Sequence, residues 1–463
     1  GTLQDCREPR TMKVKTISRS EEAFTRERTQ DVDKVHRNLD PTLHPMERAV
    51  EYTRAVNTAK LDRVFAKPFI AALSGHCDGV TAMAKNPKRL SCILSGAADG
   101  EVRLWDVPGQ RPLRRLMGHT ASVTGIACSQ DGEVAVSCSS DMTARLWRLS
   151  TAAFETSGAG SLEDESSLVT FNGKNGFRGI DHHRQASMFA TCGAVVEVWD
   201  HDRSEPVHTF SWGSETVTSV RFNPAEPDLF ATTGSDRSIC LYDLRRSTPL
   251  RKVVMQTRVN AVCWNPMEPF NFAAASEDCN VYSWDMRKLD MATCIHKDHV
   301  SAVMDVDFSP TGREFVTGSY DRSVRIFAYN GGHSREIYHT KRMQRVMSVR
   351  FSGDGTYVLS GSDDMNIRIW KANASQQLGT LLPREKHKQA YQAAIKDRYK
   401  HLPEVKRIDR HRHLPKAIYK ADKLRTKMQE GERVKHKRRL AHSAPGKVPN
   451  TPARKKKIVT QIE

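Results

Sequence analysis

The sequence contains no long apolar run. Its longest apolar stretches, such as Phe69 to Leu73, are far shorter than the roughly 18 residues that indicate a membrane-spanning helix. No apolar signal-peptide segment opens the chain. We therefore expect a soluble, intracellular protein without a membrane partner.

Cysteine patterns that indicate a disulfide framework or a metal site are also missing. The 463 residues include ten cysteines, and no two of them have C-x-x-C spacing. Disulfide frameworks belong to short secreted chains, and C-x-x-C pairs to zinc ribbons and thioredoxin-like sites. Cys128, Cys138 and Cys240 lie in apolar, strand-like runs, where a thiol is usually a small buried hydrophobe. The sequence predicts no metal and no cofactor.

Acidic residues are scarce at one end of the chain. From Pro383 to Glu463 there are 25 Lys and Arg but only 8 Asp and Glu, so this segment carries nearly all of the net charge of +18. The remaining residues are close to neutral. This asymmetry indicates a polyanionic partner for the C-terminal segment, such as nucleic acid.

The other residues follow a repeat. An aromatic residue closes a strand-like run seven times, at intervals of 42 to 52 residues. Six of the seven units have an aspartate six residues earlier, and five of those six have a hydroxyl residue four residues before the aspartate. Runs such as Val102 to Trp105 alternate with the period of two that is typical of a β-strand. The seven aromatic residues are Trp105, Trp147, Trp199, Tyr242, Trp284, Phe327 and Trp370.

Glycine-histidine pairs open the first two units, and His299 opens the sixth. With the periodic aspartates and tryptophans, this pattern resembles the WD-repeat family over residues 69–370. The resemblance implies an all-β, seven-bladed WD-repeat propeller. It also implies a hydrogen-bonded network of His, Ser or Thr, Asp and Trp within a blade. In the first two blades the network residues are His76, Ser95, Asp99, Trp105, His119, Ser137, Asp141 and Trp147.

Recurring His, Ser and Asp could also be taken for a hydrolase triad. An active site is needed once, whereas these residues return blade after blade, so we interpret them as structural. We find no phosphate loop, isolated nucleophile or paired carboxylates outside the repeats. The sequence therefore predicts no catalytic residue and no enzymatic activity.

Three units depart from the repeat. Gly193 replaces the aspartate of the third unit, whose excess residues, 150–167, predict an exposed acidic loop. Tyr242 and Phe327 replace tryptophan in the fourth and sixth units. Phenylalanine cannot donate a hydrogen bond, so the sixth network should stop short. The strand that closes the ring is either Phe69 to Leu73 or Leu378 to Leu382.

Extensions flank the propeller on both sides. Pro45 is a plausible first residue of one N-terminal helix, which would either pack against the propeller's side or dock a neighbouring protein. Downstream, Pro403 and Pro415 separate apolar stripes at helical spacing, so we expect a basic α-helical tail with two or three helices. The predicted segments are 1–11, a leader or expression remnant; 12–66, the N-terminal helical extension; 67–382, the propeller; 383–442, a basic helical domain; and 443–463, a disordered basic end.

The tail's basic residues form three clusters. Each could be a solvated helix face, a nuclear import signal or a phosphate-binding surface. Three clusters within one strongly basic segment favour nucleic-acid contact, in which Lys and Arg neutralise phosphates and release counterions. The candidate RNA-binding residues are Arg407, Arg410, Arg412, Lys416, Lys420, Lys435, Lys437, Arg438, Arg439, Arg454, Lys455, Lys456 and Lys457.

Segments of the tail and of the chain's beginning resemble the eukaryotic family of WD-repeat and SOF-domain-containing proteins. The resemblance implies a nucleolar and nuclear component of the small-subunit processome, bound to its proteins, to pre-ribosomal RNA and to small nucleolar RNA. It places a SOF-like domain at 383–442. The matching segments are Arg410 to Lys420, Arg438-Arg439, His442-Ser443 and Met12 to Ser20.

A second motif favours a different function. Two tetrapeptides resemble the Trp-Asp-x-Arg box with which WD-repeat proteins bind the damaged-DNA-binding adaptor of cullin-four ubiquitin ligases. The SOF-domain family is also named as a factor associated with that adaptor. The alternative function is therefore a ligase substrate receptor. The candidate box residues are Tyr242, Asp243, Arg245, Trp284, Asp285 and Arg287.

Overall fold

A computed structural model describes residues 38, 40–149, 163–211, 216–246, 248–444, 446–449 and 451–462. The predicted leader, the Met12 to Ser20 segment and most of the predicted acidic loop lie outside the described residues. The described chain forms two compact units, which are Gly1–Ala66 with Ser375–His411 and Lys67–Ala374 with Arg412–Glu463. No described helix is both long enough and apolar enough to cross a membrane.

All described strands of the larger unit belong to seven sheets, each of which is a propeller blade. Neighbouring strands are antiparallel, apart from one parallel pair at the edge of blade 1. The first strand of the chain, β1 (Phe69–Ser74), belongs to blade 7. Blade 1 contains β2 (Val80–Lys85), β3 (Cys92–Ala97), β4 (Val102–Asp106), β5 (Arg111–Leu116) and β9 (Glu163–Glu165); blade 2, β6 (Val123–Cys128), β7 (Val134–Ser139), β8 (Thr143–Arg148) and β10 (Val169–Asn172); blade 3, β11 (Gly179–His182), β12 (Met188–Cys192), β13 (Val196–Asp200) and β14 (His208–Phe210).

The remaining blades repeat the same arrangement. Their strands carry the β-branched and aromatic residues that fit a half-buried pleated surface. Blade 4 contains β15 (Val217–Phe222), β16 (Leu229–Gly234), β17 (Ser238–Asp243), β18 (Arg251–Met255) and β30 (Ile458–Ile462); blade 5, β19 (Val259–Trp264), β20 (Asn271–Ser276), β21 (Val281–Asp285) and β22 (Cys294–His296); blade 6, β23 (Val303–Phe308), β24 (Glu314–Ser319), β25 (Val324–Ala328) and β26 (Ser334–Tyr338); blade 7, β27 (Val346–Phe351), β28 (Tyr357–Ser362), β29 (Asn366–Lys371) and β1.

β1 closes the ring of blades. It pairs with β29, with Phe69 opposite Trp370 and Leu73 opposite Ile367. Leu73 is fully buried, because alternate residues of this short apolar run enter the core between blades 7 and 1. Residues 378–382 form no strand. The structure therefore selects the first of the two closing strands that the sequence allowed.

The innermost strands of successive blades are linked by carboxylates, one half-buried and one buried. Asp181 on β11 accepts the Phe222 N–H of β15 at 2.8 Å. Asp307 on β23 likewise accepts the Phe351 N–H of β27 at 2.8 Å. Each carboxylate satisfies a backbone donor of the next blade, so these bonds fix the register between blades.

The smaller unit consists of a 3₁₀ turn (Pro41–Leu43) and three helices, α1 (Glu47–Val64), α2 (Pro383–Tyr399) and α3 (Pro403–Arg410). Apolar residues of α1 pack with Val405 of α3. Lys396 of α2 bridges Asp62 of α1 at 3.1 Å and Asp409 of α3 at 3.0 Å. The N-terminal helix thus packs on helices of the tail, a partner that the sequence did not predict for it.

The C-terminal part of the larger unit contains α4 (Lys416–Ala441) and β30. β30 pairs antiparallel with β18, so the predicted disordered end at 443–463 contains an ordered strand. Ile458, Val459 and Ile462 give this segment β propensity, and the outer edge of blade 4 offers it unpaired backbone groups. The flanking polar residues and lysines concealed this strand in the sequence.

Candidate functional site

The repeated His, Ser, Asp and Trp residues form a complete buried network in blade 2. His119 Nδ1 lies 3.0 Å from the Asp141 carboxylate, and its Nε2 lies 2.8 Å from the Ser137 hydroxyl. The Trp147 indole donates to the same hydroxyl at 2.8 Å. Burial alone raises the pKa of Asp141, but hydrogen bonds from Thr143 and His119 outweigh it and lower the pKa to about 2. The network stabilises one blade.

Blade 1 departs from the predicted network. His76 and Trp105 both bond the Ser95 hydroxyl at 2.6 Å, but Asp99 instead accepts the N–H of Glu101 at 3.0 Å. The buried Glu101 carboxylate takes the place beside His76, with 3.7 Å between its Oε2 and His76 Nδ1. The structure thus links His76, Ser95 and Trp105 as predicted, but it places Glu101 rather than Asp99 next to His76.

His76, Asp99 and Glu101 could bring three metal ligands within 4.8 Å of one another. Arginine side chains argue against a cation there. Arg103 and Arg115 lie 2.8 and 2.5 Å from the Glu101 carboxylate. Burial and then the charge of Arg103 lower the pKa of His76 to about 4. The arginines already neutralise the carboxylate, so we assign this cluster a structural role.

Other blades retain parts of the network. In blade 6, His299 bonds Thr317 at 2.6 Å and Asp321 at 2.9 Å, and the network ends there because Phe327 has no donor. In blade 3, Trp199 donates to Thr191 at 2.9 Å without an aspartate. The same residue types recur at the same place in successive blades, which is the behaviour of a structural element.

The six candidate box residues divide into buried and exposed groups. Trp284 is buried in the core between blades 4 and 5, and Tyr242 is buried in the core between blades 3 and 4. The Asp243 and Asp285 carboxylates accept the N–H groups of Arg245 and Arg287, each at 3.0 Å. Tyr242 and Trp284 are therefore core residues of the third strand of their blade, and Asp243 and Asp285 stabilise the turn that follows it. Only the two arginines present side chains to a partner.

Both box arginines are exposed at equivalent places on adjacent blades. The Arg245 side chain is 76% exposed and pairs with Asp228, and that of Arg287 is 61% exposed and pairs with Asp285 at 3.0 Å. The Arg287 guanidinium lies over the Phe270 ring, 4.5 Å from its centroid. A pocket of about 320 Å³ opens beside it, lined by residues of blades 4 and 5. The two guanidiniums can bind carboxylates or carbonyl groups of another protein.

Arg412 does not belong with the candidate RNA-binding residues. Its side chain is 12% exposed and forms an ion pair with the buried carboxylate of Glu336. Nη2 donates to this carboxylate at 3.1 Å, and Nε lies 2.7 Å from it. Arg425, which the sequence did not single out, donates to Asn280 at 3.0 Å and to the His299 carbonyl. Arg412 and Arg425 anchor the tail to blades 5 and 6. Only the tertiary structure supplies their partners, so spacing could not distinguish them from the exposed basic residues.

Most other candidate RNA-binding residues are exposed. Every residue of α4 from Thr426 to Arg439 is exposed, and this stretch includes six basic and two acidic residues. Arg454 donates to the Thr293 carbonyl at 3.1 Å, and Lys457 is half-buried next to β30. The exposed candidates are Arg407, Arg410, Lys416, Lys420, Lys435, Lys437, Arg438, Arg439, Arg454, Lys455 and Lys456.

Comparisons with known proteins match this architecture. A model described as "WD domain, G-beta repeat" matches residues 67–106, 110–148, 204–243, 249–285, 292–327 and 334–371, and a "Sof1-like domain" model matches residues 372–458. The chain belongs to the WD-repeat family with a Sof1-like domain. This finding confirms the family resemblance and the predicted propeller. The matched WD ranges omit residues 149–203, which include Gly193 and the first three strands of blade 3.

Relatives in this family align over almost their whole length. "DDB1- and CUL4-associated factor 13" from Gallus gallus is 49% identical over 452 residues, covering 98% of this chain and 100% of the relative. The Homo sapiens protein of that name is 47% identical over the same shares. The Dictyostelium discoideum protein is 47% identical over 410 residues, covering 88% of this chain and 91% of the relative. Membership in this WD-repeat family indicates a non-catalytic scaffold or adaptor.

Proposed function

We propose that the chain is an RNA-anchored scaffold of small-subunit ribosome biogenesis, acting in the nucleolus as part of the small-subunit processome. The propeller holds processome proteins, and the tail binds pre-ribosomal RNA and small nucleolar RNA. The observation that carries the proposal is the exposed basic stretch of α4, which is joined to a helix start anchored on the propeller by Arg412 and Arg425.

The chemistry of this stretch fits phosphate contacts. Lys435, Lys437, Arg438 and Arg439 lie within about one and a half helical turns, so they surround the helix and can meet phosphates from several directions. Such contacts fix a protein along RNA but carry no base code. The scaffold would therefore find its RNA segment through assembly with proteins and through RNA shape.

The test is crosslinking of the full chain to RNA in cells, followed by sequencing of the recovered RNA. The variant Lys435→Gln, Lys437→Gln, Arg438→Gln, Arg439→Gln should lose most pre-ribosomal and small nucleolar RNA. A matched control neutralises four exposed basic residues of blades 2 and 3, and it should retain this RNA. No enriched RNA with the unchanged protein would reject the proposal. The control residues are Arg148, Lys174, Arg178 and Arg203.

A second candidate function is substrate receptor of a cullin-four ubiquitin ligase. It is supported by the exposed Arg245 and Arg287 on adjacent blades and by the name of the relatives, which associates them with DDB1 and CUL4. The two functions use different surfaces, so one chain could perform both.

The second function is tested by measuring adaptor binding to the purified full chain. The double variant Arg245→Ala, Arg287→Ala should abolish binding while the thermal unfolding midpoint stays within about 1 °C, because both side chains are exposed. Arg203→Ala, also an exposed arginine, serves as the control. Binding that survives the double substitution would reject the assignment of these two arginines.

A further inference from the structure

A basic patch also lies on the propeller, although its overall charge is close to neutral. The loop between β26 and β27 contains Lys341, Arg342 and Arg345, all exposed. Arg345 lies over the Tyr320 ring, 5.3 Å from its centroid. The turn that contains Tyr320 also contains Arg322, which is exposed. Four basic side chains from two adjacent blades therefore share one surface, which we call the blade 6–7 patch.

Acidic side chains compensate little of this charge. Asp321, in the same turn as Arg322, is committed to His299 at 2.9 Å. Asp364 pairs with Arg368. Asp363 is the exposed acid beside the loop, and its N–H donates to the Arg345 carbonyl at 2.9 Å. Within the described residues no ion pair joins any acid to the four basic residues of the patch.

A buried residue at its centre fixes the loop between β26 and β27 on the propeller. Met343, at its centre, is 1% exposed, and its N–H bonds the Thr340 hydroxyl at 3.2 Å. The basic residues on either side of this buried anchor are consequently presented by a fixed backbone. A preorganised set of cations loses less conformational entropy when it binds phosphates than a flexible tail does.

The patch is continuous with the tail. His339, two residues before Lys341, bonds the carbonyl of His413 at 3.1 Å, and the two imidazole rings are 5.8 Å apart. Lys416 follows three residues later, so its Cα lies within about 11 Å of the His413 Cα. The basic surface of the patch therefore leads to the exposed Lys416 and Lys420 at the start of α4.

We propose that the blade 6–7 patch binds the phosphate backbone of RNA and extends the tail's RNA-binding surface onto the propeller. This inference rests on the proposed RNA-anchored scaffold and specifies where its RNA runs. An acidic protein segment could meet the same charges, but two observations favour RNA: the continuity with the basic start of α4, and the Arg345 guanidinium over the Tyr320 ring.

The test is RNA binding by the purified full chain, measured by fluorescence anisotropy with a labelled 20-nucleotide single-stranded RNA at several salt concentrations. Three proteins are compared with the unchanged chain. The patch variant is Lys341→Gln, Arg342→Gln, Arg345→Gln; the tail variant is Lys435→Gln, Lys437→Gln, Arg438→Gln; and the control is Arg148→Gln, Lys174→Gln, Arg178→Gln. Each removes three exposed positive charges, so non-specific electrostatic effects are matched.

If the patch contacts three phosphates, its variant should flatten the slope of log K against log salt by about 2, because each lost single-strand contact removes about 0.7. When the salt concentration rises tenfold, the affinity of the patch variant should therefore fall about 100-fold less than that of the unchanged chain. The control should leave the slope unchanged.

The possible outcomes separate the two proposals. A patch variant that behaves as the control, with binding lost in the tail variant, would overturn the patch and leave the scaffold proposal standing. Binding lost in the patch variant alone would support the patch and move the RNA anchor from the tail. No RNA binding by the unchanged chain would overturn both proposals. Equal competition by a glutamate-rich 20-residue peptide would overturn RNA as the ligand of the patch.

Discussion

Replacing Arg412 by alanine should release the start of α4 from the propeller. The Glu336 side chain is only 5% exposed, and two nitrogens of Arg412 lie 2.7 and 3.1 Å from its carboxylate. Removing one partner of a buried ion pair costs about 3–5 kcal/mol, because the other charge is left uncompensated. Arg335, whose Nη1 lies 3.9 Å from Glu336, compensates part of this loss. We therefore expect the lower end, about 3 kcal/mol.

This loss can be measured as hydrogen exchange of backbone amides. About 3 kcal/mol corresponds to roughly a 100-fold increase in the population of the undocked tail. Amides of the first turns of α4, around the buried Ile418, should exchange faster by about that factor.

Two control variants make the measurement specific. Arg412→Lys keeps the charge but loses the bidentate contact, so its effect should be intermediate. Arg433→Ala changes an exposed arginine of the same helix and should have no effect on these amides. Unchanged exchange in Arg412→Ala would refute the conclusion that this ion pair anchors the tail.

Three further perturbations test the propeller itself. Ser137→Ala removes the hydrogen-bond partner of both His119 and Trp147, so thermal unfolding should show a destabilisation of about 2–4 kcal/mol. Ser360→Ala removes the partner of the Trp370 indole, and the destabilisation should be about half as large. Burial lowers the pKa of His296 to about 4, below the ordinary 6.5 of an unfolded chain. The contribution of neutral His296 to the free energy of unfolding is therefore complete above pH 6.5 and lost as the pH falls towards 4. In urea titrations, His296→Gln should weaken this loss of stability in acid. Deleting residues 458–463 should speed hydrogen exchange in β18, and unchanged exchange there would contradict the β30 pairing.

Much of the propeller could be predicted because each blade repeats a local pattern. The period of the aromatic residues, the alternation before them and the aspartate in the preceding turn all depend on neighbours within about 30 residues. Blade 2 follows this pattern completely. Blade 1 shows the limit of the pattern, because Glu101 competes with Asp99 for His76, and only the side-chain geometry decides between two nearby carboxylates.

The candidate sites were predicted less completely. Composition identified a basic tail, but it could not separate Arg412, which forms an ion pair with the buried Glu336, from the exposed Lys435. The box motif identified Arg245 and Arg287 but gave equal weight to residues that build the turn. In both cases the deciding quantity is exposure, which depends on partners far away in the chain.

The sequence by itself determined the repeat, the number of blades and the position of the positive charge, because these follow from local spacing and composition. Only the tertiary structure decided which strand closes the ring, that the last strand extends blade 4 and that the N-terminal helix packs on α2 and α3. The physical reason is that these contacts join segments roughly 200 to 350 residues apart. Each such segment can satisfy its backbone and apolar groups in several ways, and the folded surroundings select one of them.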